Sequence, residues 1–132
     1  HAVVLAGTCN GVTITGNTMI NNTEAAVRIE DASGSGGHVI SGNIIRKSVY
    51  ADIVEDKRQG GIDLGAARDC AVTGNMLENV TADAAIVGLG GGGHVISGNR
   101  IAGNAGDAVR LTCDGWCLTS DNLTDRRSGA QD

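Results

Sequence analysis

The sequence predicts an all-β solenoid of about five stacked coils, on three observations. A motif of the general form Val-x-Ile-x-Gly-Asn-x-Ile recurs along the chain, no segment sustains a helical period, and the composition lacks the bulk of a globular core. The motif occupies residues 12–20, 38–45, 70–77 and 94–101, with a worn copy at 117–122. Its asparagines, Asn17, Asn43, Asn75, Asn99 and Asn122, follow one another at steps of 26, 32, 24 and 23 residues. Self-similarity on that scale marks a chain built from stacked repeats.

Composition agrees. The 132 residues include 21 Gly, one Trp, one Tyr, and neither Phe nor Pro. Packing therefore falls to Val, Ile, Leu and Ala, which suits one narrow stacked interior and a single domain over residues 1–132. No apolar run approaches the roughly 18 residues of a membrane span, so no membrane partner is expected. No signal peptide is visible, and the chain opens mid-pattern at His1-Ala2-Val3, as expected of a mature product or a fragment. The formal charge of −5 and the scattered basic residues exclude nucleic acid as an expected partner, because phosphate binding needs concentrated Lys and Arg.

Each repeat carries a second apolar patch upstream, at residues 2–5, 26–29, 61–64, 85–89 and 108–111. Short Val- and Ile-rich runs bounded by Gly, Asn, Asp and Ser read as strands, so each coil holds three. Alternation sends inward the residues five and three before the Asn and the residue two after it. The three-before column is Ile14, Ile40, Val72, Ile96 and Thr119; the two-after column is Met19, Ile45, Leu77, Ile101 and Thr124. The asparagines sit at a bend, where Asn tolerates the left-handed conformation, and their amides are expected to stack as a structural ladder.

The five-before column reads Val12, His38, Cys70, His94 and Cys117. Histidine and cysteine suggest zinc, but members of one column point the same way, whereas a tetrahedral ion needs converging ligands. A packed or turn-edge column is expected. Cys113 and Cys117 are close enough in sequence to close a small disulfide loop; Cys9 and Cys70, about two rungs apart, are not expected to bridge. The outward four-before column, Thr13, Val39, Ala71, Val95 and Leu118, is unusually apolar and suggests cover by a neighbouring subunit or loop.

Surface chemistry is expected on the outward column of the upstream strand: Val4, Arg28, Asp63, Val87 and Arg110, with Arg28 and Asp63 as rung neighbours. From each Asn to the next strand's first apolar residue the distances are 10, 19, 11 and 10 residues. The surplus forms an insertion at 48–60 that leads into Asp63 and carries Tyr50, Lys57, Arg58 and the carboxylates of Asp52, Glu55 and Asp56. Insertions on a rigid solenoid are where binding groups accumulate. Arg28, Asp63, Arg110, Tyr50, Lys57 and Arg58 are the candidate substrate-binding residues.

The recurrent motif resembles the right-handed parallel β-helix repeat of the pectate-lyase-like superfamily, over nearly the whole chain. That resemblance implies a right-handed, single-stranded parallel β-helix and a carbohydrate-active module that binds or cleaves an acidic polysaccharide. It further implies Ca²⁺ held by Asp52, Glu55, Asp56 and Asp63. Lys57, Arg58 or Arg28 would neutralise a sugar acid or act as base. No stretch matches a particular lyase or hydrolase motif, so no catalytic residue is assigned, and aromatic platforms for sugars are almost absent. The alternative is a non-catalytic solenoid of a fibre, tailspike or adhesin. Neither end shows a capping helix, which predicts contacts with a parent chain or self-association. Either role implies a secreted or surface location.

Overall fold

The computed structural model describes residues 1–30, 35–53, 59–112 and 115–125. Among them are fifteen strands and no helix, arranged as five coils of three. Coil 1 holds β1 (Val3–Leu5), β2 (Thr13–Thr15) and β3 (Thr18–Thr23). Coil 2 holds β4 (Val27–Ile29), β5 (Val39–Ser41) and β6 (Ile44–Val49). Coil 3 holds β7 (Ile62–Asp63), β8 (Ala71–Thr73) and β9 (Met76–Thr81). Coil 4 holds β10 (Ala84–Leu89), β11 (Val95–Ser97) and β12 (Arg100–Ala102). Coil 5 holds β13 (Asp107–Thr112), β14 (Leu118–Ser120) and β15 (Leu123–Asp125).

Each strand hydrogen-bonds in parallel to its counterparts on the neighbouring coils. The first sheet runs β1-β4-β7-β10-β13, the second β2-β5-β8-β11-β14 and the third β3-β6-β9-β12-β15. The second-sheet register is Ile14↔Ile40↔Val72↔Ile96↔Thr119, the aliphatic column expected from alternation. Ile40, Val72 and Ile96 are fully buried, as are Ile45, Leu77 and Ile101 of the third sheet. Each buried Val, Leu or Ile contributes about 1.5–3 kcal/mol of apolar transfer, set against the entropy of ordering the chain. Stacking is what makes that burial available, since one coil alone would leave both flanks of its side chains wet.

The asparagine ladder is present, with one correction to its mechanism. The left-handed backbone lies one residue earlier, at Gly16 (φ 71°), Gly42 (65°), Gly74 (66°), Gly98 (67°) and Asp121 (55°). Glycine makes the turn without a Cβ clash, which leaves the asparagine side chain to serve the stack. Asn43 Nδ2 donates to Asn75 Oδ1 at 3.0 Å and to the Ile14 carbonyl at 3.0 Å, and the Asn43 N–H donates to the same Oδ1 at 3.0 Å. Asn75 repeats this toward Asn99 and Ile40, and Asn99 toward Asn122 and Val72. The ladder is directional: every rung donates toward the later coil's Oδ1.

The His-Cys column is packed, and its histidines do more than fill space. His38 Nδ1 accepts the Val12 N–H at 3.1 Å, and His94 Nδ1 accepts the Cys70 N–H at 3.2 Å. Each therefore closes a main-chain donor on the preceding coil. Accepting at Nδ1 fixes the neutral Nε2–H tautomer, and burial lowers both pKa values. At His94 the Asp69 charge opposes that shift and Arg68 reinforces it.

Candidate functional site

The outward column of the first sheet has the predicted register, Val4↔Arg28↔Asp63↔Val87↔Arg110. Its exposure differs from a solvated sheet face. Val4 is 43% exposed, whereas Asp63 and Val87 are wholly buried. The root of the insertion packs on this column. The Tyr50 O–H donates to the Gly60 carbonyl at 3.0 Å and accepts the Gly60 N–H at 3.2 Å, pinning the two ends of the excursion together. Gly60 lies so close to the sheet that a Cβ would fall 2.8 Å from Val87 Cγ1. Tyr50 is itself buried, and burial raises its phenol pKa; Asp63 and Glu24 add to the shift, while Gly60 and Arg28 oppose it. Tyr50 is thus a neutral structural clamp.

Arg28 is half-buried, with its Nε 3.2 Å from Glu30 Oε1 and 3.9 Å from Asp63 Oδ2. Asp63 Oδ1 accepts the Gly65 N–H at 2.9 Å. The structure thus brings Arg28, Asp63 and Tyr50 together. Arg110 lies two register steps from Asp63, beyond Val87, and is ion-paired with Asp83 and Asp107. Asp52 is exposed, and its carbonyl accepts from Gln59 Nε2 at 2.6 Å. Glu55, Asp56, Lys57 and Arg58 lie outside the described residues. Among the described residues no group of three or more His, Cys, Asp or Glu side chains is placed to hold a metal ion. Asp63, with one oxygen on Gly65 and the other facing Arg28, does not fit the Ca²⁺ role implied by resemblance.

Cys117 is disulfide-bonded; Cys113, its expected partner, lies outside the described residues. Cys9 and Cys70 are free, Cys9 half-buried and Cys70 buried, with burial pushing the Cys70 thiol up to about 11. The apolar outward column of the second sheet is in register, Thr13↔Val39↔Ala71↔Val95↔Leu118, with Val39 37% and Leu118 50% exposed.

Sequence reasoning missed a cleft at the corner between the first and second sheets. Isolated parallel bridges join Asn10 to Gly36 and Gly36 to Arg68. Around them lies an open cleft of about 390 Å³, bordered by Asn10, Ser35, Arg68, Asp69 and the backbone of Gly11, Gly36 and Gly37. A signal was available: Asn10-Gly11, Gly36-Gly37, Arg68-Asp69 and Gly92-Gly93 each directly precede the Val12, His38, Cys70 and His94 column. Aligning the repeats two residues further upstream would have shown one charged pair in a glycine-rich corner.

A family model described as a right-handed β-helix region matches residues 1–129. No curated protein matches the chain, and no solved structure does either.

Proposed function

Because the chain belongs to the right-handed β-helix family, we propose that it is a carbohydrate-binding module directed at an acidic polysaccharide, which meets the accessible part of Arg28 at the rim of the first sheet's covered outer face. The observation that carries this reading is the placement of Arg28. Its guanidinium is half-buried and held by Glu30 and Asp63 beside the root of the insertion, so its position is set before any ligand arrives. Arginine stays cationic in proteins and presents a planar fork matched to a carboxylate. Its role is therefore to neutralise a sugar acid. Asp63, wholly buried, positions Arg28 and does not meet the sugar. The Cys117 disulfide supports a secreted or surface location, since such bonds persist in oxidising compartments.

A panel of polyuronates and glycosaminoglycans, with and without Ca²⁺, tests the proposal by calorimetry and by absorbance of unsaturated product. Binding is expected, with affinity falling about tenfold or more in Arg28→Ala, the loss of one charge-assisted contact. Binding untouched by that substitution removes Arg28 from the site. Rising absorbance would add lyase turnover.

A second reading is favoured by the second sheet's outward column. Val39 and Leu118 are exposed on the same line of the stack, a face suited to packing against another subunit. Silence across the glycan panel, with a molar mass that rises with concentration in light scattering, would favour this structural role.

A further inference from the structure

We propose that the two end faces of the stack are the complementary halves of one interface, through which coil 5 of one copy docks on coil 1 of the next and the chain assembles head to tail. Coils 1 and 5 each have one face on which, among the described residues, no other coil stacks.

Apolar surface collects at those two ends. Val4 and Ile20 of coil 1, with Trp116, Leu118 and Leu123 of coil 5, are five of the seven large apolar side chains that the described residues expose. The interior agrees. Val3 at one end and Val109 at the other are only partly buried, whereas Val27, Ile62 and Ile86, which stand between them in the same column, are wholly buried. Each end leaves a slice of core and three strand edges uncovered, and such edges are templates for pairing.

Hydrogen-bond polarity selects the occupant. Inside the stack, Asn43 donates its N–H and Nδ2 to Asn75 Oδ1 on the next coil and its Nδ2 to the Ile14 carbonyl on the preceding one. Asn17, on coil 1, donates forward in the same way but turns its Nδ2 back on its own Thr15 carbonyl at 3.1 Å, and its Oδ1 has no donor among the described residues. Asn122, on coil 5, donates Nδ2 to the Ile96 carbonyl at 3.0 Å and accepts from Asn99. Its N–H and second Nδ2 hydrogen have no acceptor among the described residues. The Leu118 N–H and the Ser120 carbonyl both bond to coil 4, so the alternation of a parallel strand turns the Thr119 N–H and carbonyl, between them, away from coil 4.

Coil 1 therefore presents an amide acceptor where coil 5 presents amide donors. Docking one on the other gives Asn122 N–H and Nδ2 to Asn17 Oδ1, and Asn17 Nδ2 to the Thr119 carbonyl, the bonds that every internal rung makes. Continuing the registers by one rung of about 4.8 Å sets Val109 on Val3, Thr119 on Ile14 and Thr124 on Met19. Head-to-head docking fails on the same count, since it sets Asn17 Oδ1 on Asn17 Oδ1 and reverses the sense in which one coil winds about the axis. A head-to-tail contact along a common axis does not close, so it grows into a filament.

Sedimentation velocity and light scattering on the intact chain, from about 10 µM to about 1 mM, read the assembly directly. The average mass is expected to rise through that of a dimer without levelling off. A chain that stays monomeric, or a mass that stops at the dimer, overturns the proposal. Direction is read with a charge pair at the seam. Docking sets Leu123 of one copy beside Thr18 of the next on the third sheet; both are exposed. Within one chain they lie four rungs apart, about 19 Å, beyond the reach of screened charges. Thr18→Lys/Leu123→Lys puts like charges across the seam, whereas Thr18→Lys/Leu123→Glu and the reciprocal Thr18→Glu/Leu123→Lys put opposite ones. Association is expected to be about five- to tenfold weaker in the first than in the other two, a gap that narrows at high salt. Far-ultraviolet circular dichroism checks that each variant keeps the fold. Equal loss in all three would mean head-to-head contact, and loss in none would mean lateral contact through the second sheet's apolar column; either result overturns the seam.

Discussion

Removing the side-chain amide at the centre of the asparagine ladder should cost far more than removing it at the edge, although the change is the same. Asn75 accepts the Asn43 N–H and Nδ2 at 3.0 Å each, and donates to Ile40 O at 2.9 Å and Asn99 Oδ1 at 3.0 Å. Asn75→Ala strips partners from four polar atoms in a region where Asn43, Asn75 and Asn99 are at most 2% exposed. A buried group left without its partner costs about 1–3 kcal/mol. Allowing for relaxation and for second partners that survive, the expected loss is about 3–5 kcal/mol, a large share of a domain's typical 5–15. Asn17 sits on an exposed coil and donates only to Asn43 Oδ1 and Thr15 O, both at 3.1 Å. Water can replace those contacts, so Asn17→Ala should cost about 1 kcal/mol or less. Urea unfolding followed by far-ultraviolet circular dichroism measures both, provided the slope with denaturant is unchanged. Equal losses in the two variants, within about 0.5 kcal/mol, would refute the idea that the ladder is a cooperative buried network.

The histidines predict acid sensitivity. His38 and His94 have folded pKa values below the usual 6.5, so the unfolded chain binds protons that the folded chain does not. Their stabilising contribution is full above about pH 6.5 and declines as pH falls toward the folded values, by at most about 1.4 kcal/mol per pH unit for each ring. The decline between pH 6.5 and 5 should flatten in His38→Gln/His94→Gln; an unchanged profile would exclude the pair. Gly91→Ala should destabilise by more than about 2 kcal/mol, because its Cβ would collide with the Ala67 carbonyl. Gly11→Ala, with open space and only its left-handed φ against it, should cost about 1–2 kcal/mol by thermal unfolding. With a chromogenic disulfide reagent at pH 8, Cys9 should react readily, and Cys70, buried with its thiol pushed up to about 11, only on unfolding. Equal rates would show that the coil-3 core is open to solvent.

Much of the architecture was legible before any coordinates, because its determinants are local and periodic. The Gly-Asn bend repeats in sequence, and period-two alternation states which side of a strand each residue faces, so the aliphatic column from Ile14 to Ile96 and the register from Val4 to Arg110 could both be written down in advance. Alternation does not state what lies over a face. Asp63 and Val87 point outward and yet are buried, because the root of an insertion closes through Tyr50 and Gly60 over that face, contacts that have no period. The same limit hid the histidine acceptors and the corner cleft. Whether His38 Nδ1 meets the Val12 N–H, or Gly36 presses against the Arg68 carbonyl, depends on how one coil settles upon the next, and only the stacked structure decides it.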